Sequence, residues 1–346
     1  YTYGYDALNR ITSGIDNTGK FNLTNVTYDK NGNIEGLTRL GHVVANPNLS
    51  TNYGFGTMDD LTYSYDSGNK LLKVADAATL DQYGFKDDAV NTATDSSNDF
   101  TYDNNGNMLS DTNKGITSIT YNHLNLPKVV TINGSTITYT YDATGVKLRK
   151  VVSGTTTDYA GNFIYNNNAL QFFNTAEGYF SVTSTSGNIS GKYVYQYKDH
   201  LGSSRLSYQN NGTAGSINVG IVEESNYYPF GLKHKGYNGT ISGGNSTAQK
   251  GKFNGKELQD ELNLDWYDFG FRNYDAALGR WMNLDPLSEQ FESFSPYNAM
   301  MNNPIMFIDP DGRAAAPVYG TDGEFLGTDS QGLQGKAIVM EKKNFT

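Results

Sequence analysis

Apolar and polar residues alternate over short stretches of this chain, most clearly in Ser135-Thr136-Ile137-Thr138-Tyr139-Thr140-Tyr141. A period of two puts every second side chain on one face, so each such stretch predicts a half-buried β-strand. The stretches are brief and give way to clusters of Asp, Asn and Gly. One unit recurs: a Tyr-Asp pair, a turn, then an apolar residue. Copies are Tyr5-Asp6-Ala7-Leu8-Asn9-Arg10-Ile11, Tyr28-Asp29-Lys30-Asn31-Gly32-Asn33-Ile34 and Tyr65-Asp66-Ser67-Gly68-Asn69-Lys70-Leu71. Tyr102-Asp103-Asn104-Asn105-Gly106-Asn107-Met108 and Tyr141-Asp142-Ala143-Thr144-Gly145-Val146-Lys147-Leu148 follow, and Tyr121-Asn122-His123-Leu124-Asn125-Leu126 is a degenerate copy. The last three copies are evenly spaced, and the wider gaps before them imply insertions.

The physics of one unit is readable. A strand brings in the Tyr, the Asp bonds backbone amides of the turn, and the apolar residue starts the return strand. Hairpin turns are expected at Asn31-Gly32, Asn105-Gly106 and Asn133-Gly134. One hairpin cannot bury its own face, so neighbours must stack into a continuous sheet. Tyr28, Tyr65, Tyr102 and Tyr141 should then occupy equivalent positions and pack on the next hairpin. A rare helical piece is expected at Ser295 to Asn302, between the breaks set by Asp285-Pro286, Asn303-Pro304 and Asp309-Pro310.

Composition narrows the class. The 346 residues include 26 Tyr and 38 Gly but only 8 Pro, which suits short strands and tight turns. The net charge of −10 gives no basic surface for nucleic acid. No apolar run is long enough to span a membrane as a helix. Cys is absent, so disulfides and thiolate metal sites are excluded. Tyr1 to Asp6 already lies inside a repeat, so residue 1 is not expected to be a natural N-terminus, and the lack of a signal peptide carries no weight.

Candidate chemistry is sparse. The Asp/Asn clusters lack the alternating acidic ligands and distal Glu of a calcium loop, so they read as turns. His42, His123, His200 and His234 lie far apart without ligand spacing. No glycine falls in a phosphate-binding loop. Neither a cofactor nor a metal is expected.

The segment from Tyr195 to Arg313 carries a denser set of motifs. Tyr197-Lys198-Asp199-His200-Leu201-Gly202-Ser203-Ser204-Arg205 is followed by Tyr227-Tyr228-Pro229-Phe230-Gly231 and Phe253-Asn254-Gly255-Lys256-Glu257. Then come Tyr267-Asp268-Phe269-Gly270-Phe271-Arg272-Asn273-Tyr274-Asp275-Ala276-Ala277-Leu278-Gly279-Arg280-Trp281, Leu284-Asp285-Pro286-Leu287, Ser295-Pro296-Tyr297-Asn298 and Ile308-Asp309-Pro310-Asp311-Gly312-Arg313. With the repeats, this order resembles the YD-repeat or RHS family, with an RHS-repeat-associated core of the kind typical of Bacteroidetes, over about residues 1–313.

The resemblance implies an all-β fold, a hairpin array coiling into a hollow RHS/Tc-type cage with a core domain closing its C-terminal end. The implied division is a repeat shell over 1–194, the core over 195–313 and the start of a variable effector region over 314–346. It implies the structural shell of a secreted bacterial polymorphic toxin, which encapsulates and delivers its own C-terminal toxin domain in interbacterial or host-directed competition. Implied partners are that toxin, a secretion machinery (the Bacteroidetes-like core is compatible with a type IX route) and an immunity protein, with localisation secreted or at the cell surface. Two other readings stay open: a carbohydrate-binding surface adhesin using Tyr rows, and a self-cleaving aspartyl autoprotease. No turnover of an external substrate is expected.

Family members often cleave themselves just after the final Asp-Pro-x-Gly. Asp309 maps onto that motif, and Asp285 is the implied partner, with Glu289 and Glu292 between them left open. Two such carboxylates work by sharing one proton. Arg313 departs from the Leu usual in cleaving members, which leaves a plain turn as the competing reading. From the residues alone, the aromatics of 253–313 are too many to stay exposed, so this stretch should fold back on the repeats. Trp281 should be a buried anchor that still donates its indole N–H.

Overall fold

The computed structural model describes residues 1–78, 83–88, 97–185, 188–213, 215–235, 237 and 244–313, with three short strands beyond them. Six strands (Thr2–Tyr5, Ile11–Ile15, Leu23–Tyr28, Ile34–His42, Phe55–Tyr65, Leu71–Asp76) pair in chain order as one antiparallel sheet. A second sheet runs through thirteen strands, again in chain order, from Phe100–Tyr102 to Val219–Glu224. Asp99 ties the two together: its N–H donates to Leu72 O at 2.8 Å and its carboxylate accepts from Val74 N at 2.8 Å. The protein is all-β, as its alternation implies. Among the described residues the helical turns are short 3₁₀ pieces.

Each Tyr-Asp pair ends a strand, and the Asp builds the turn. Its Oδ1 accepts the backbone N–H groups two and four residues on. These bonds are 2.9 and 2.9 Å at Asp6, 2.8 and 2.8 Å at Asp29, and 2.9 and 2.8 Å at Asp103. Asn122 does the same in the degenerate copy, at 2.9 and 3.0 Å. The third residue after the Asp is always left-handed (Asn9, Gly32, Asn69, Gly106, Asn125, Gly145), with φ between +58° and +93°. The strand register slips by one between the Tyr and the residue before it, a bulge that sharpens the local twist. At Asn31-Gly32 and Asn105-Gly106 only the Gly has positive φ, so a wider turn with a bulge replaces the two-residue hairpin. At Asn133-Gly134 both residues do, at +48° and +80°, which is the tight hairpin geometry.

Two copies of this turn lie outside the recognised repeats. Asp199 Oδ1 accepts from Leu201 N and Ser203 N at 3.1 and 2.9 Å, with Gly202 left-handed at +76°. Asp309 and Gly312 repeat the pattern at the end of the described core.

The repeat tyrosines lie half-buried against the neighbouring hairpin. Tyr28 OH donates to Ile11 O and Tyr65 OH to Ile34 O, each at 2.6 Å, and Tyr121 OH bonds Met108 O. Each hydroxyl thus reaches back to the carbonyl that opens an earlier return strand. Tyr65→Phe is therefore expected to cost about 0.5–1.5 kcal/mol in urea unfolding, the worth of one such bond. No measurable loss would mean that water replaces the hydroxyl freely.

Because the strands run in chain order, all the Asp turns sit on one edge of the sheet. The longer connections, residues 43–54 and 77–99, leave from the other edge. The closing segment lies along the turn edge and meets the carbonyls of its left-handed residues. Asn303 Nδ2 donates to Asn9 O (2.9 Å), Asn302 Nδ2 to Gly32 O (2.7 Å), Arg280 Nη2 to Asn69 O (3.1 Å) and Tyr297 OH to Gly106 O (2.8 Å).

Inside, one core joins repeats and closing segment. Ile11, Leu23, Ile34, Leu71, Met108 and Val130 pack with Phe230, Trp266, Leu278 and Met282. The segment contributes its own four-stranded sheet: Glu257–Gln259, Trp266–Asp268, Asn273–Asp275 and Arg280–Trp281. Residues 253–313 thus fold back on the repeats as expected. Arg39 and Asp59, both fully buried, form a 2.5 Å ion pair, and Arg39 Nη2 also donates to Ala277 O at 2.7 Å. Lys147 bridges Glu257 and Asp268, and Lys150 bridges Glu257 and Glu261.

Three sequence expectations change. Between Ser295 and Asn302 only Met300–Asn302 makes a 3₁₀ turn, with Met301 left-handed. Tyr297 O is spent on Trp281 N at 3.2 Å, and the Asn298 and Asn302 amides are drawn to Gly32 O, which leaves no run of helical bonds. Trp281 is a buried anchor, but its Nε1 finds no acceptor among the described residues. Its surroundings are aromatic: Phe269 and Tyr274 meet it edge-on, at 4.9 and 5.3 Å. Beyond the core, Val318–Gly320 pairs with Phe325–Gly327 antiparallel and with Ile338–Met340 parallel, so the hairpin pattern there gains a third strand. The expected junction at 314–317 lies outside the described residues.

Candidate functional site

Asp285 and Asp309 come together at one guanidinium. Arg272 Nη2 lies 3.0 Å from Asp285 Oδ2 and 3.0 Å from Asp309 Oδ2. Its Nε donates to Gly312 O, and its plane stacks 4.2 Å over the Trp281 ring. Arg272 and Asp309 are almost fully buried. The turn Phe269-Gly270-Phe271-Arg272, between the strands Trp266–Asp268 and Asn273–Asp275, and the turn closing 309–313 put these groups face to face, since Phe271 N donates to Asp311 O at 2.9 Å.

Asp309 Oδ1 is occupied by the turn, accepting from Gly312 N at 2.7 Å and Arg313 N at 3.0 Å. The Gly312–Arg313 peptide is therefore held at both ends, its carbonyl by Arg272 and its N–H by Asp309. Gly312 is required here: its φ is +87°, and a Cβ would meet Arg272 N at 2.8 Å. Arg313 folds away, pairing with Asp311 at 2.5 Å and lying 4.2 Å over the Phe271 ring. The Arg313 side chain is thus turned to Asp311 and Phe271, while its backbone N–H stays on Asp309.

Asp285 is the more open carboxylate. Its Oδ1 accepts from Leu287 N at 2.8 Å. Burial pushes its pKa up; Arg272 opposes this and the charge of Asp309 adds to it. Beside it lies a cavity of about 30 Å³ lined by Arg272, Trp281, Asp285, Ser288 and Asp309, room for about one water molecule. The arrangement differs from two facing acids that share a proton, because a cation stands between them. Glu289 and Glu292 are exposed.

Sequence reasoning missed Arg272. The available signal was the lone positive charge within the aromatic run Tyr267 to Tyr274, where burial would demand partners. The histidines serve elsewhere. His234 stacks on Phe21 at 4.3 Å, His42 lies 4.2 Å from Tyr83, His200 bonds Ile305 O at 2.9 Å, and His123 is exposed.

No protein-family model matches the chain. It is 30% identical over 125 residues to toxin subunit YenC1 of Yersinia entomophaga and 33% identical over 119 residues to toxin subunit YenC2. Those matches cover 35% and 32% of this chain. Salivary gland surface protein 1 of Aedes aegypti is 34% identical over 128 residues, covering 36% of this chain and 3% of that protein. Among solved structures, TcdB2-TccC3-Cdc42 aligns over 90% of the chain with a TM-score of 0.55 at 20% identity, and TcdB2-TccC3 aligns with 0.52 at 18%. The chain shares the fold of Tc toxin subunits. It spans 11% of the length of the Yersinia relatives and 17% of the solved chains. Among the described residues, no helix is long and apolar enough to cross a membrane.

Proposed function

We propose that this chain is part of the shell of a secreted bacterial toxin, a repeat wall over 1–194 coiling into a hollow cage that residues 195–313 close. The shell holds its own continuation, the effector region from 314 onward, and delivers it in interbacterial or host-directed competition. Its partners in this reading are that effector, a secretion machinery and an immunity protein. The observation that carries it is the closing segment, which engages four successive repeat turns and shares their core. The kinship with toxin subunits supports it. Limited proteolysis of the longer natural protein tests it, with slow cutting between Ala314 and Pro317 expected. Rapid cutting there while the repeats stay intact would place the junction outside and sink the enclosure.

A second reading is self-cleavage at Gly312–Arg313, favoured by the grip on that peptide. Asp285 would take a proton from water in the small cavity and return it to the Arg313 nitrogen. Arg272 would stabilise the charge growing on Gly312 O. Intact mass of the chain should show fragments ending at Gly312 and starting at Arg313, absent in Asp285→Asn and Asp309→Asn. Equal cutting in all three chains would exclude this chemistry. The adhesin reading rests on the exposed Tyr193, Tyr195 and Tyr197, and a glycan array without binding would remove it.

A further inference from the structure

We infer that Asp111, Lys114 and Asp275 form a proton-sensitive latch between the repeat wall and the closing segment. Asp111 ends the strand Met108–Asp111, Lys114 lies in the next turn, and Asp275 ends the strand Asn273–Asp275 of the closing sheet. Lys114 Nζ meets Asp275 Oδ2 at 3.1 Å across the junction. Asp111 and Asp275 are fully buried, and Lys114 keeps only 13% of its side chain exposed. Two buried carboxylates therefore share one cation. Asp275 has the ion pair, Asp111 Oδ1 accepts only from the backbone Lys114 N at 3.3 Å, and neither carboxylate's Oδ2 has a hydrogen-bond partner among the described residues.

An uncompensated buried charge is costly, and protonation is the way to remove it. Burial pushes the Asp111 carboxyl up to about 7, opposed by Lys114 and reinforced by Asp275. The other groups that bear on the cluster are Asp99, Asp265, Tyr102 and Tyr63, with Arg39 acting on the neighbouring Tyr274. Below neutrality Asp111 is neutral and Lys114 belongs to Asp275. Once Asp111 ionises, it competes for Lys114 and weakens the tie. Lys114 and Asp265 line a cavity of about 1180 Å³, so the cluster borders open space on its lysine side.

The place matters. Asp275 Oδ1 accepts from Ala277 N at 2.8 Å and Leu278 N at 3.3 Å, and Arg39 holds Ala277 O from the other sheet. Lys114 and Arg39 thus grip the same hook, residues 275–278. The sign follows: a carboxyl whose pKa is raised in the closed state favours closure at low pH, and that contribution fades as pH climbs to the closed-state value. The closing segment is held more tightly in acid and released toward neutral and alkaline pH. This goes beyond the shell reading and stands whether or not a cargo is enclosed.

Hydrogen exchange of peptides covering 273–281 tests it, in the 346-residue chain and in Asp111→Asn at matched pH. The ratio of native to variant exchange should rise by about tenfold per pH unit from about 4, for one released proton, and level off above about 7. Asp275→Asn frees Lys114 for Asp111 and should move the plateau to lower pH. A flat ratio across this range, or an unmoved plateau in Asp275→Asn, overturns the latch.

Discussion

Replacing Arg39 by Met should cost about 3–5 kcal/mol, the usual penalty for stripping the partner from a buried charge. Asp59 would remain at the centre of the protein with Phe85 N as its other donor, 2.7 Å away. The loss would also free Ala276 O and Ala277 O, so wall and closing segment should loosen together. Urea unfolding of the whole chain is the measurement. Arg39→Met with Asp59→Leu should recover most of the loss, because the desolvated charge goes with the pair. A double variant as unstable as the single would mean that the carbonyl contacts, and not the charge, carry the cost.

Trp281→Ala should be comparably severe, about 3–5 kcal/mol, because a large buried ring leaves a cavity its neighbours cannot fill. Trp281 is 1% exposed and touches Phe269, Tyr274 and the Arg272 guanidinium. Its indole N–H makes no bond among the described residues, so the loss is one of packing and of the cation–π contact. Trp281→Phe should recover part of it. A loss below about 1 kcal/mol for the alanine variant would show that the site collapses freely, against the tight packing described.

The repeats were legible because everything that shapes them is local. Asp reaches amides two and four residues on, and Asn or Gly supplies the left-handed residue, so the chain writes each turn within five positions. The Asp199 turn was harder to see because Tyr197 is displaced by one residue, which breaks the Tyr-Asp signature without changing the turn. Asp285 and Asp309 were placed by motif, and the chain does bring them to one point. What joins them, Arg272, lies in the turn before the strand Asn273–Asp275 and reads in sequence as an isolated positive charge. Arg39 with Asp59, and Lys114 with Asp275, escaped for the same reason: their meaning depends on which strands the sheet brings opposite one another. The helical piece expected at Ser295 to Asn302 gives way to one short 3₁₀ turn because the Asn298 and Asn302 amides bond the distant Gly32 O, which no local spacing reveals.

The Asn302 and Asn303 amides, with Arg280 and Tyr297, also act as a vernier. Four teeth on the closing segment mesh with the turns at Asn9, Gly32, Asn69 and Gly106, and the pitch is set by how many strands lie between them. Adding or deleting a hairpin within that span would leave every later tooth out of step, so copy number there is frozen. Among the described residues the opposite edge carries no such comb, and there the connections between strands, 43–54 and 77–99, are long. A lineage of such chains can lengthen its loops on one side freely, but must change its repeat count elsewhere.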